Sequence, residues 1–257
     1  MKRFVNVIIS LIIILTLLSG CHQQETGGQN NKSEYQYEIV ANQVRIISHI
    51  DKESTNVTIP EEIDGMPVTT LLKDAFYQHK EMVSVVLPQS LVEIHGSPFY
   101  RCYALKQINI PKNVKNIDSN PFFRCSSLRE ITVDNENEKF LSIDGVLFDK
   151  GVNMLVSYPE GKEDETYIIP STVTKLNIDS FGYHPKFKKL VVLSNVIEFP
   201  NENMFLYLEN ITLVVVKGSK AEEYAQNNDL KYVIQEADRW HKTQGDGSPV
   251  LSPNNNQ

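Results

Sequence analysis

The sequence predicts a β-rich solenoid with a parallel sheet of short strands, short helical turns on the opposite side, an inserted hairpin and a cap at each end. Three observations carry this. "SPFYRCYALKQINIP" (97–111) and "NPFFRCSSLREITVD" (120–134) repeat each other, with Phe99 and Phe122, Cys102 and Cys125, Leu105 and Leu128, Ile108 and Ile131 all 23 residues apart. A fixed period of this size marks one supersecondary unit stacked on copies of itself. Each unit ends on an I-x-I step, the two-residue alternation of a strand that buries one face. A proline then follows, at Pro88 and Pro111, and ends the strand because it has no N–H to give to a ladder.

The register extends in both directions. Phe76, Phe99, Phe122 and Phe181 form one column, His79, Cys102, Cys125 and His184 the next, and Met82, Leu105, Leu128 and Phe187 a third. Val85, Ile108, Ile131 and Leu190 start the strands, and Leu87, Ile110, Val133 and Val192 complete their inward set. Leu91 and Ile94, Val114 and Ile117, Val173 and Leu176 make the second apolar pair of each unit. The unit therefore reads P-x-x-V-x-x-I-x(4)-F-x-x-C-x-x-L-x-x-I-x-I. One unit cannot bury its own Phe and Leu, whereas stacked units share a continuous core. About five are expected, starting near Val57, Pro88, Pro111, Tyr167 and Leu193. In the degenerate last unit, Phe205, Leu208, Ile211, Val214 and Val216 are the expected inward set in a shifted register.

"INIPKNVKNIDSNPFFRCSSL" resembles the units of BspA-like bacterial leucine-rich repeat proteins, and the resemblance runs from about Tyr37 to Ile234. It implies a leucine-rich-repeat solenoid over 37–234, with "YEIVANQVRIISHI" as the N-terminal hairpin and "IPEEIDGMPVTTL" as an insertion before the first unit. "LSIDGVLFDKGVNMLVSYPEGK" then belongs to an extra hairpin inserted over 134–166. Asp64-Gly65 and Asp144-Gly145 supply turn pairs for tight hairpins, where both central residues take positive φ. His79 and His184 depart from the family's Cys position. A helical C-terminal cap is expected over 218–234, where Ser219 and Glu222 have capping-box spacing. Residues 235–257 offer little to bury apart from Trp240 and are expected to be disordered.

The 257 residues carry 25 basic against 32 acidic side chains, a net charge of −7, and no basic block. This removes the electrostatic reason to expect nucleic acid. Lys2 and Arg3 precede an apolar run from Phe4 to Leu18, the charge order and length of a secretory signal over residues 1–20. The "LSGC" that follows resembles the lipobox of bacterial lipoproteins, with Cys21 as the acceptor of the diacylglyceryl group. Two or three acyl chains on one residue are enough for stable anchoring. Residues 21–36 are then the lipidated Cys and a flexible tether, with a reach of about 20 Å. The expected location is the bacterial cell membrane, lipid-anchored and facing the outside of the cell.

No nucleophile elbow, phosphate loop, HExxH or kinase set occurs, so no catalytic residue and no cofactor is expected. Cys102 and Cys125 in adjacent units fall within the Cα spacing of a disulfide, and their place in a buried column equally explains two reduced thiols. Ligands stacked along a column over several units are too far apart for one metal ion, and no metal is expected. Asp134, Glu136 and Glu138 lack the spacing of a calcium loop.

Residues between the two buried positions of each strand face outward. Thr58, Val86, Asn109, Thr132, Val191 and Val215 should form a single stripe, flanked by Lys106, Gln107, Arg129, Glu130, Lys188 and Lys189. A partly apolar centre with a charged margin suits a protein ligand, and the family resemblance implies adhesion. A structural or envelope-assembly role with a bacterial partner or wall glycan is the alternative, and an enzyme or inhibitor using the loop from Asp134 to Phe140 is a third.

Overall fold

Why the chain doubles back at its start is visible in the turn: Ala41 and Asn42 both adopt positive φ, at 51° and 59°. They join β1 (Tyr35–Val40) to the antiparallel β2 (Gln43–His49). The computed structural model describes residues 34–183, 186–193, 197–199 and 211–235. The apolar run from Phe4 to Leu18 and Cys21 lie outside the described residues, as do His184, Phe205, Leu208 and Trp240. No helix of the described residues is long and apolar enough to cross a membrane.

From the first hairpin the chain runs through β3 (Asn56–Thr58), β4 (Glu62–Ile63), β5 (Met66–Leu71), β6 (Ser84–Val86), β7 (Glu93–Ile94), β8 (Gln107–Ile110), β9 (Asn116–Ile117) and β10 (Glu130–Val133). Then come β11 (Phe140–Ile143), β12 (Val146–Asp149), β13 (Met154–Ser157), β14 (Thr166–Ile168), β15 (Lys175–Leu176), β16 (Lys189–Val192) and β17 (Thr212–Val216). Helix α1 (Lys220–Asn227) and β18 (Tyr232–Gln235) close the described chain. The folded part thus starts two residues before the expected boundary at 37, because Tyr35 is buried in β1. At the other end, Gln235 is still in a strand.

The I-x-I strands assemble as predicted into parallel ladders, β3-β6-β8-β10 and, separately, β14-β16-β17-β18. The second apolar pairs Leu91 and Ile94, and Val114 and Ile117, extend the other wall, β2-β5-β7-β9, also parallel from β2 onward, while the pair Val173 and Leu176 stands at β15, parallel to β13 in a separate sheet. Between the walls lie the columns. Phe76, Phe99 and Phe122 are buried with ring centroids 5.2 and 5.7 Å apart. Met82, Leu105 and Leu128 are fully enclosed beside them. This stacking is how each unit covers the apolar face of the one before it.

The hairpin between β10 and β14 divides the core in two. Leu147 and Val156 join the N-terminal cluster, while Val146, Phe148 and Leu155 join the C-terminal one. Strands β12 and β13 are therefore apolar on both faces, which fits a partition between two cores and not a surface hairpin. Asp144 and Gly145, at φ 50° and 77°, make its tight turn, and Asp64 and Gly65, at 53° and 74°, make that between β4 and β5.

Across this partition the repeat's own hydrogen bonds are interrupted and side chains replace them. In the regular units the N–H of Gln78 donates to the carbonyl of Tyr100 and that of Arg101 to Phe123. The next in line, the N–H of Arg124, finds instead the Oε1 of Glu160 at 2.6 Å, which also accepts the N–H of Tyr183 at 2.8 Å. Gly182 passes so close that any β-carbon there would collide with the Glu160 carboxylate. Asn120 adds a second stitch: its Nδ2 donates to the Asp179 carbonyl at 2.7 Å and its Oδ1 accepts from Ser157 Oγ at 2.8 Å.

At the C-terminal end, Ser219 Oγ accepts the N–H of Glu222 at 3.2 Å and caps α1. Ala221 and Ala225 turn inward against the second core.

Candidate functional site

Strand β3 pairs with β6 so that Thr58 lies beside Val86, and β8 pairs with β10 so that Asn109 lies beside Thr132. All four side chains are exposed on the outer face of the first parallel sheet, Val86 by 58%. Thr132 Oγ1 donates to Asn109 Oδ1 at 3.0 Å. One step along the strands, Asn56, Ser84, Gln107 and Glu130 form a parallel outer row, in which Ser84 Oγ donates to Asn56 Oδ1 at 2.6 Å. Hydroxyls and amides dominate this face, with Val86 as its one exposed large aliphatic side chain.

The expected stripe does not continue into the second sheet. Val191 has the outward parity predicted for it, between the core residues Leu190 and Val192, yet it is only 2% exposed. Val215 is an error of register. It pairs with Val192, and Leu213 pairs with Leu190, so Leu213 and Val215 enter the core and Val214 takes the outer position. "TLVVV" is apolar at both parities, so alternation alone cannot choose between registers, and a slip of one residue exchanges the two faces. The outer row of this sheet is Ile168, Val191, Val214 and Val233.

Beside Thr132 the sheet ends in a groove of about 640 Å³. The last strand before the insertion, β10, lines it with Glu130, Thr132 and Val133, joined by Arg129 just before the strand, and the inserted hairpin forms the opposite wall with Phe140, Leu141, Ser142, Asp144 and Gly145. Asp134, Asn135, Lys150 and Lys162 close its ends. The hairpin is held to the edge of β10 by the N–H of Ile131 donating to the Gly145 carbonyl at 2.9 Å and by Ser142 Oγ donating to the Ile131 carbonyl at 2.5 Å. Lys162 Nζ is tied to the Asp144 carbonyl at 2.8 Å and Lys150 Nζ to that of Asn137 at 2.7 Å. The groove thus offers both signs of charge around hydroxyl and backbone groups. Sequence reasoning placed Thr132 and Asp134 but missed the hairpin wall. The available signal was that an insertion between two repeat strands must stand beside the last strand it follows.

The column at the Cys position is closed to ligands. Cys102 and Cys125 are free, buried thiols, and each donates to a carbonyl of the preceding unit, Phe76 and Phe99, at 3.1 Å. Burial pushes the Cys125 thiol up, away from thiolate character. His79, the histidine variant of this column, places Nε2 3.3 Å from Nδ1 of His49 among the rings of Tyr35 and Phe76. Burial pushes the pKa of His79 down to about 4, and that of His49 down as well. Among the described residues no group of three or more His, Cys, Asp or Glu side chains is placed to hold a metal ion.

Residues 49–153 match the family model of the BspA type leucine rich repeat region, in six copies. No curated protein matches the chain. Among solved structures the chain is similar to the T. pallidum leucine rich repeat protein TpLRR, with 18% identity and a TM-score of 0.48, covering 82% of this chain and 100% of that one. It is also similar to the pneumococcal vaccine antigen PcpA, with 15% identity and a TM-score of 0.39, covering 82% of this chain and 99% of that one. A leucine-rich repeat protein from Eubacterium ventriosum shows 16% identity and a TM-score of 0.41, covering 79% of this chain and 71% of that one.

Proposed function

We propose, taking as premise a leucine-rich repeat solenoid with a BspA-type repeat region over residues 49–153, that this chain is a membrane-anchored, extracytoplasmic binding module for a protein ligand. The acyl anchor is Cys21, the orientation is outward, and the role is recognition or adhesion without turnover. One observation carries the reading. The outer face of β3-β6-β8-β10 presents Thr58, Val86, Asn109 and Thr132 in one exposed row that runs directly into the groove walled by the inserted hairpin. A rigid, flat sheet face loses little conformational freedom on association, so its hydrogen-bonding groups are preorganised. Val86 supplies the apolar centre and Arg129, Glu130, Lys150 and Lys162 the polar rim, the distribution found at protein interfaces.

A second reading, in which the ligand is a wall glycan and the role is envelope assembly, is favoured by the hydroxyl and amide character of the face and groove. The test is capture of extracellular matrix proteins, cell-wall glycan and lysate of the same bacterium by the immobilised chain. Val86→Lys with Thr132→Lys is the diagnostic variant. Saturable protein binding that disappears in this variant, with an unchanged circular dichroism spectrum, supports the first reading. Retention of glycan alone supports the second. Binding by the folded variant equal to that of the parent overturns the assignment of the face.

A further inference from the structure

The ladder β3-β6-β8-β10 ends differently at its two edges. At the N-terminal edge, the Thr58 carbonyl on β3 accepts a hydrogen bond from the Tyr35 hydroxyl at 3.3 Å. At the other edge stands β10, and the next I-x-I strand, β14, lies beyond the inserted hairpin in a separate sheet. Each residue of a strand turns its N–H and carbonyl to one side, and the side alternates along the chain. The Asp134 N–H donates to the Ile110 carbonyl on β8 at 3.0 Å. Glu130 and Thr132 therefore also face β8, while Ile131 and Val133 face the open edge.

The hairpin satisfies Ile131, whose N–H donates to the Gly145 carbonyl at 2.9 Å and whose carbonyl accepts from Ser142 Oγ at 2.5 Å. For Val133, nothing among the described residues takes the outward N–H or carbonyl. Its counterpart one unit back, Ile110, spends the same two groups on β10. Val133 lies on the groove, where Phe140 and Leu141 are the other apolar side chains. Arg129, Lys150 and Lys162 stand there against Glu130, Asp134 and Asp144, so the lining has no net charge and favours neither a polyanion nor a polycation. A polypeptide main chain complements it, being uncharged and carrying one donor and one acceptor per residue, the pair that Val133 leaves open. The four residues of β10 offer about 13 Å of edge, and an open strand edge is a template for this pairing.

We propose that the groove takes an extended segment of the protein ligand as an added strand along β10. The ligand's main chain pairs with Val133, and one of its apolar side chains enters between Val133, Phe140 and Leu141. In strand addition the main-chain bonds supply affinity and such pockets supply specificity. The proposal rests on the reading of the chain as a protein-binding module, and it adds which part of the ligand is gripped: a continuous extended segment.

The test screens the full chain in non-ionic detergent against a library of capped hexapeptides and measures the selected peptides by fluorescence anisotropy. Val133→Pro removes the edge N–H at a position where proline is tolerated. It should weaken the selected peptides about tenfold, the worth of one such bond, with an unchanged circular dichroism spectrum. N-methylation of alternate amides in the peptide deletes the donors from the other side. In one of its two registers it should weaken binding to the parent chain by a similar factor, and this arm decides the matter if Val133→Pro fails to fold. A library without a binder overturns the proposal, as do selected peptides that bind equally well with both methylation registers and to the folded variant. If the parent chain and the folded Val133→Pro variant capture the same matrix or lysate protein equally, the added strand is overturned while the protein-binding reading stands. Capture of cell-wall glycan alone, with no protein and no peptide, overturns both.

Discussion

At the level of single residues, the Cys column shows how one substitution changes the chemistry of a repeat. Cys102 and Cys125 satisfy their thiols on the carbonyl of the preceding unit, a small donor matched to a small space. His79 has a second ring nitrogen, and its Nδ1 is buried without a hydrogen-bond partner. Both His79 and His49 are depressed by burial, His79 to about 4. A base whose folded pKa lies below its unfolded value contributes stability above the unfolded pKa, near 6.5, that is lost as pH falls toward the folded one. Urea denaturation between pH 7 and pH 4 should show a loss on the order of 2 kcal/mol from this pair, and His79→Cys should flatten it. An unchanged acid slope in that variant would place the sensitivity elsewhere. His95 has the opposite sign. Asp118 at 2.8 Å and Glu93 at 3.0 Å raise its pKa. Its contribution, about 0.5–1 kcal/mol for a partly exposed ion pair, is complete below the unfolded pKa and fades as pH rises through the folded one. His95→Gln should therefore be least costly at alkaline pH, measured by the same titration.

At the level of elements, the inserted hairpin and its Glu160 latch decide whether the two halves act together. Glu160 is 4% exposed, burial raises its pKa to about 7, and the N–H groups of Tyr183 and Arg124 hold it from rising further. A carboxyl group raised in this way stabilises the fold fully below its unfolded pKa, and that stability declines as pH rises through about 7. Glu160→Gln keeps an acceptor for both N–H groups and removes the charge, so it should retain stability and lose the decline between pH 5 and pH 8. Glu160→Ala leaves two buried donors unpaired and should cost about 2–4 kcal/mol at any pH. Equal effects of the two substitutions in a pH series of thermal melts would show that Glu160 does not join the halves. The latch was invisible in the sequence, because Glu160 belongs to no column and its partners lie 36 and 23 residues away on either side.

For the whole molecule, what was legible follows from what the period constrains. Columns such as Phe76, Phe99 and Phe122 must stack if the units stack, so their burial and the parallel ladders could be read from spacing alone. Asp64-Gly65 and Asp144-Gly145 fixed their turns because only a few residue types accept two successive positive φ values. Ala41-Asn42 makes the same turn without that signature. Val215 was misplaced because its strand is apolar at both parities, and the exposure of Val191 depends on what lies over it, which no local pattern records. The groove depends on the meeting of an insertion with a repeat strand, outside any one unit. Such a stack has a testable mechanical consequence. Each unit touches only its neighbours, so stability is a sum of unit and interface terms, and the hairpin, with Leu147 facing one core and Phe148 the other, is the interface at which that sum divides. Leu190 is fully buried in the second core. Leu190→Ala should cost about 2–5 kcal/mol, and hydrogen exchange should show that loss in β14, β16 and β17 while β6, β8 and β10 keep their protection. Protection lost to the same extent in both sheets would mean that the partition transmits unfolding and that the two cores melt as one.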